Sequence, residues 1–235
     1  MIKVILIDID NTLLDFDAYV KESMENGFEK FGLGKYEDGM FYVFEKINSE
    51  MWQQIEKGEI TYDELVQTRW NRIFAALNIS IDGCRFEEYF KDCLFESAIP
   101  VEGASEILEY LKGKCILCVA SNGPYEQQVN RLGKAEMLVC FSHLFISEKI
   151  GASKPSEKFF SYCLNEINVE RKRHRESPIL PSEVLMIGDS LTSDISGAAE
   201  IGFITCFFDR KNSEKPDGLS VDYVINKLED IRKII

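Results

Sequence analysis

The sequence predicts an α/β protein: a parallel sheet with helices on both faces, interrupted after its first strand by a helical insertion. Three observations carry that prediction. The N-terminal run Ile2-Lys3-Val4-Ile5-Leu6-Ile7 is rich in β-branched residues and reads as a buried strand. From Pro100 onward, short apolar runs alternate with helical segments, the pattern of a parallel sheet built from crossover units. Between about residues 15 and 97 no convincing strand occurs, and the apolar periodicity is helical throughout.

The insertion reads as four helices, near 18–31, 40–57, 62–77 and 86–95. The third opens on Thr61-x-x-Glu64, a capping box in which side chain and backbone satisfy each other's orphan donors. Phe41, Phe44, Ile47, Met51, Trp52 and Ile55 recur at helical spacing, as a core stripe does. Beyond it, helix 104–112 leads to strand 116–121, helix 125–134 to a short strand 144–147, and helix 157–168 to strand 184–188. Helix 193–201, strand 203–207, a strand near 223–225 and helix 227–233 complete the chain. The expected domains are a core of 1–14 with 98–235 and a helical cap of 15–97, with hinges near 13–17 and 97–102.

Composition narrows the function. With 27 Lys+Arg against 40 Asp+Glu among 235 residues, the net charge is −13, which disfavours a nucleic-acid polymer or an anionic membrane as partner. No run approaches the ~18 apolar residues of a membrane span. The N-terminal stretch carries Asp8 and Asp10 and lacks a small-residue cleavage site, so a cytoplasmic location is expected. Seven irregularly spaced cysteines fit reduced thiols. Cys115 and Cys118 form a C-x-x-C pair, but three residues apart on a strand they face opposite ways, as core residues do. His143 and His174 are the only histidines, which argues against Ser-His-Asp chemistry. The basic segment 170–176 reads as a solvated loop before a strand.

The chemistry is expected at the carboxyl ends of the strands, where open α/β sheets bind ligands. Four segments converge there: Asp8-Ile9-Asp10-Asn11-Thr12-Leu13, Ser121-Asn122-Gly123, Ser153-Lys154-Pro155 and Gly188-Asp189-Ser190 with Asp194 five residues beyond Asp189. Any one alone reads equally as a turn or a helix cap. Together they suit phosphoryl transfer. Asp8, Asp189 and the backbone carbonyl of Asp10 offer hard oxygens for Mg2+. Asp8 is the candidate nucleophile and Asp10 the candidate general acid and base. Lys154, the Ser121 hydroxyl and the amides of the Asn122-Gly123 turn are the candidate phosphate-binding groups. Asp194 has three open roles: binding the metal through water, holding Lys154, or capping the next helix.

Asp8-x-Asp10-x-Thr12-Leu13, Ser121, Lys154 and Gly188-Asp189-x-x-x-x-Asp194, in that order, resemble the four motifs of the haloacid dehalogenase-like hydrolase superfamily. The resemblance implies a Rossmann-like core with an α-helical cap of the C1 type. It also implies hydrolysis by a Mg2+-dependent phosphatase, because members that cleave carbon–halogen bonds typically lack the acid found here at Asp10. Four stretches are similar to the bacterial pyrimidine 5′-nucleotidase branch: Thr12-Leu13-Leu14-Asp15-Phe16-Asp17, Glu56-Lys57-Gly58-Glu59-Ile60-Thr61, Leu144-Phe145-Ile146-Ser147-Glu148-Lys149-Ile150-Gly151 and Ser213-Glu214-Lys215-Pro216-Asp217-Gly218. That similarity implies a nucleoside monophosphate as substrate. The competing substrates are sugar phosphates and phosphoglycolate. The competing reactions are phosphotransfer within a sugar and, less favoured, dehalogenation.

Overall fold

The computed structural model describes residues 1–211 and 220–235; the expected nucleotidase-like stretch at 213–218 lies outside them. Two compact units result, Met1–Asp15 with Ala98–Ile235, and Phe16–Ser97.

The first unit is built on a six-stranded parallel sheet of order β3-β2-β1-β4-β5-β6. Its strands are β1 (Val4–Ile7), β2 (Ile116–Ser121), β3 (His143–Ile146), β4 (Val184–Gly188), β5 (Ile204–Phe208) and β6 (Tyr223–Ile225). The chain runs outward from β1 through β2 to β3, then returns to lay β4, β5 and β6 on its other side. The carboxyl end of β1 therefore sits at the point where strand order reverses, the crevice such sheets offer to ligands. Ile7 pairs with Val119 on one side and Ile187 on the other, so Asp8 follows at the level where β2 and β4 also end.

All four residues of β1 are buried, as expected of a strand covered on both faces. Ile5 and Ile7 face one cluster with Leu117, Val119, Leu185 and Ile187, covered by Ile107 and Leu108 of one helix, Leu132 of another, and Leu228. Val4 and Leu6 face the opposite cluster, which includes Cys118, Met186, Phe159, Phe160 and Cys163. Cys115 packs on the first face and Cys118 lies in the second, so the C-x-x-C pair is split across the sheet. All seven cysteines are free thiols. No helix among the described residues is long and apolar enough to cross a membrane.

The second unit holds α1 (Phe16–Phe31), α2 (Asp38–Glu56), α3 (Tyr62–Ala76) and α4 (Gly83–Glu96). The capping box forms: the Thr61 amide donates to Glu64 Oε2 at 2.8 Å and the Glu64 amide to Thr61 Oγ1 at 3.2 Å. The core is aromatic, with Trp70 and Phe86 ring centroids 4.3 Å apart. A polar group interrupts the apolar stripe expected on α2: Asn48 is buried and accepts from Arg69 Nη1 at 2.9 Å, while Arg69 donates bidentately to Glu87 at 2.6 and 3.1 Å. Gly27 of α1 exists for contact, since an added Cβ would lie 2.6 Å from the Phe86 ring. Gly27→Ala is expected to lose about 1–3 kcal/mol from overpacking despite alanine's better helix propensity, read from urea unfolding.

The unit boundaries adjoin each other within the sheet-bearing unit. The Asp15 amide donates to the Ile99 carbonyl at 2.8 Å, the Val101 amide to the Leu13 carbonyl at 2.9 Å, and Leu14 forms an antiparallel bridge with Pro100.

The remaining helices are α5 (Ala104–Leu111), α6 (Tyr125–Lys134), α7 (Ser147–Ile150), α8 (Glu157–Arg173) and α9 (Gly197–Glu200). Three sequence expectations are corrected. First, α8 runs to Arg173, so most of the supposed basic loop is helix; its cations sit in the last turn, where they complement the helix dipole, and Arg171 pairs with Glu176 at 2.7 Å. Second, the expected helix 193–201 begins as a π-helical turn, Leu191–Ser196, in which the Ser190 carbonyl accepts from both the Asp194 and Ile195 amides. Third, the final helix is 3-10, Leu228–Lys233.

Candidate active site

The loop after β1 sets the first two carboxylates. The Ile9 carbonyl accepts from the amides of Thr12, Leu13 and Leu14, closing a tight loop around it. Asn11 takes a left-handed conformation with φ of 60°, which asparagine tolerates better than most residues. The loop leaves Asp8 buried at the strand end, while Asp10 keeps about a third of its side chain exposed.

Lys154 gathers the site. Its ammonium donates to Asp8 Oδ1 at 2.6 Å, Asp194 Oδ1 at 2.6 Å and the Ala120 carbonyl at 2.7 Å, which engages all three of its protons. Asn122 fixes the backbone of that lysine from both sides: its Nδ2 donates to the Lys154 carbonyl and its Oδ1 accepts from the Lys154 amide, each at 2.9 Å. The π-helical turn delivers Asp194, whose Oδ2 also accepts from the Ser190 amide at 3.1 Å. Gly188 leaves room for this carboxylate, since a Cβ there would lie 2.1 Å from Asp194 Oδ2. Ser121, buried at the end of β2, accepts from the Gly123 amide at 3.1 Å and from Gln128 Nε2 at 3.0 Å. Two accepted bonds fill the lone pairs of the hydroxyl, and its proton remains to donate.

One carboxylate oxygen from each of Asp8, Asp189 and Asp194 lies within 4.8 Å of the others. Lys154 shares its one positive charge between two of them, Asp8 and Asp194. Burial pushes the Asp8 carboxyl up, Lys154 opposes, and Asp194 and Asp10 push it up again, leaving it at about 7 against an ordinary 3.8. Burial would lower the Lys154 ammonium, but Asp194 and then Asp8 more than reverse that and hold it above the ordinary lysine range. A divalent cation suits this cluster: the donors are hard carboxylate oxygens, the preferred partners of Mg2+.

A family model for haloacid dehalogenase-like hydrolases matches residues 2–202. The chain belongs to that family. This haloacid dehalogenase-like hydrolase resembles a structure of YfnB from Bacillus subtilis, described as a HAD-hydrolase bound to magnesium. The TM-score is 0.86 at 28% identity, over 99% of this chain and 98% of that one. It is 27% identical to the pyrimidine 5′-nucleotidase YjjG of Escherichia coli, over 98% of this chain and 96% of that protein. It is 29% identical to the pyrimidine 5′-nucleotidase PynA of Streptococcus pneumoniae, over 97% and 93% respectively.

Against the sequence expectations, the hydrolase brings Asp8, Lys154, Asp189 and Asp194 together. Asp194 holds Lys154 and also accepts from the turn that follows β4. The Asn122 side chain serves Lys154 rather than pointing a donor elsewhere. The Asp10 carboxylate stands outside the three-acid group because α6 holds it. Arg131 Nη1 donates to Asp10 Oδ1 at 2.6 Å, and Gln128 Nε2 donates to Asp10 Oδ2 at 2.7 Å. Gln128 and Arg131 lie outside the four sequence segments that mark the site. Their i,i+3 spacing places them on one face of the helix after the Ser121-Asn122-Gly123 turn, but nothing local points to a partner more than a hundred residues away.

Proposed function

We propose that this hydrolase is a Mg2+-dependent phosphomonoesterase that works through an aspartyl-phosphate on Asp8, with nucleoside monophosphates as substrates. The observation that carries the reading is the Lys154 ammonium bound at once to Asp8 and Asp194, beside an Asp10 held apart on its own partners.

Asp8, Asp189 and Asp194 would hold the metal, with the Asp10 carbonyl as a further candidate oxygen. Magnesium, when bound, would offset the negative charge that otherwise keeps an anionic ester away from a carboxylate. An Asp8 oxygen attacks phosphorus as the bond from phosphorus to the ester oxygen breaks. The departing oxygen takes a proton from Asp10. Water then attacks the phosphorus of the aspartyl-phosphate and gives a proton to Asp10; inorganic phosphate leaves and Asp8 is restored. The Ser121 hydroxyl and the Asn122-Gly123 turn amides are the proposed donors to the phosphoryl oxygens, and Lys154 contributes its charge while orienting Asp8. The nucleotide part rests on the pyrimidine 5′-nucleotidases among the relatives and on the nucleotidase-like stretches of sequence.

Assay of nucleoside 5′-monophosphates, sugar phosphates and phosphoglycolate with Mg2+ tests this. The expected result is the highest kcat/KM on a nucleoside monophosphate, loss of activity with a chelator, and recovery on adding Mg2+. A higher kcat/KM on a sugar phosphate or phosphoglycolate would overturn the nucleotide assignment. Activity that survives chelation would overturn the metal.

A further inference from the structure

We propose that Gln128 and Arg131 are positioning residues for proton transfer, an assignment that rests on the phosphatase reading. Together they hold the Asp10 carboxylate in its proton-donating pose and tie that pose to the phosphate-binding hydroxyl of Ser121. Asp10 and Asp8 are like charges two residues apart, so the strand-end loop does not by itself favour a fixed separation between them. The restraint comes from α6. Arg131 Nη1 donates to one Asp10 oxygen and Gln128 Nε2 to the other, so both oxygens are fixed although the side chain is about a third exposed. Arg131 Nη1 also donates to Gln128 Oε1 at 3.0 Å, closing a ring of three side chains.

The amide of Gln128 can face only one way in this ring. Its oxygen must meet the arginine, and its nitrogen then meets two acceptors, Asp10 at 2.7 Å and Ser121 Oγ at 3.0 Å. One buried amide thus links the group that protonates the leaving oxygen to the group that grips the phosphoryl oxygens. The backbone is cleared for it: a Cβ on Gly123 would lie 2.3 Å from Gln128 Nε2.

A purely structural role accounts poorly for Arg131. The guanidinium is almost fully buried, and its Nε has no hydrogen-bond partner. Burying a cation with an orphaned donor is an inefficient way to gain stability, since desolvation offsets much of the attraction. What the burial does provide is a fixed direction for the two bonds to Asp10 and Gln128.

The test is dependence on the leaving group. Departure of an alkoxide needs the Asp10 proton, whereas 2,4-dinitrophenolate departs without one. First-turnover rates are measured with Mg2+ on a nucleoside 5′-monophosphate and on 2,4-dinitrophenyl phosphate, for Arg131→Met, Arg131→Lys and Gln128→Glu. Gln128→Glu preserves the shape and the acceptor for Arg131 but removes both donated bonds and adds repulsion toward Asp10, so it serves even where Arg131→Met folds poorly. Expected is a loss of about 10²-fold on the nucleotide and under about threefold on the dinitrophenyl ester, the signature of a lost proton donor. Arg131→Lys is expected to recover about tenfold on the nucleotide relative to Arg131→Met, because it keeps a charge-assisted bond. Equal losses on both esters, or no loss on the nucleotide, would overturn the proposal. Asp8→Asn is the control: if it still turns over the dinitrophenyl ester, the phosphatase reading itself fails. If Asp8 is required while the α6 variants show no leaving-group preference, only the positioning role fails.

Discussion

Asp8→Asn is expected to abolish turnover and, in the metal-free protein above about pH 7, to raise stability. The loss of activity follows from removing the proposed nucleophile, whose deletion in enzymes with covalent intermediates costs on the order of 10⁴-fold or more. The gain in stability has a separate cause. Burial holds the folded Asp8 carboxyl near 7, while the unfolded chain ionises it near 3.8. Between those values the folded protein binds more protons than the unfolded one, so this residue lowers stability progressively as pH rises from about 4 to 7. Each unit corresponds to about 1.4 kcal/mol, so the burden reaches up to about 4 kcal/mol by pH 8. Asparagine does not ionise and escapes it. Urea unfolding with a chelator should give near-equal stabilities for the two proteins at about pH 4 and a clear advantage for the variant at about pH 8. Magnesium should narrow that gap by stabilising the parent more than the variant. No advantage at pH 8 would show that Asp8 carries no such electrostatic burden.

Lys154→Met carries the second large effect, and here activity and stability fall together. The substitution leaves Asp8 and Asp194 side by side without their shared cation and strips the Ala120 carbonyl of its donor. Removing one partner from a buried pair typically costs about 3–5 kcal/mol, because the remaining charge stays desolvated. Turnover should fall by about 10²-fold or more through loss of a preorganised positive charge. Chemical denaturation beside steady-state assays reads both. A change in stability below about 1 kcal/mol would mean that water or a rearranged partner replaces the ammonium.

The sheet was legible because parallel strands covered on both faces read as unbroken apolar runs, as Val4–Ile7 and Val184–Gly188 do. The acids at the ends of those strands were equally visible, since a carboxylate closing an apolar run stands out against it. Residues whose role depends on a partner far away in sequence were not visible. Asn48 interrupts an apolar stripe because Arg69 reaches it from another helix. Gln128 and Arg131 look like ordinary solvent-facing helix residues until the fold brings Asp10 over them. Gly197, which ends the widened turn that carries Asp194, packs so closely that a Cβ would lie 2.1 Å from the Pro155 carbonyl oxygen, and no local propensity reports that approach.

The paired backbone at Leu13–Asp15 and Ile99–Val101 has an evolutionary corollary. Because the chain departs from the sheet and rejoins it through adjacent, mutually bonded segments, the ends of the eighty-odd-residue excursion are already joined. Exchanging that excursion for a longer or shorter one adds little closure entropy, since the cost grows only with the logarithm of length. The candidate catalytic carboxylates and the lysine that aims Asp8 all belong to the sheet side of the seam, so a change confined to the helical block removes none of those bonds.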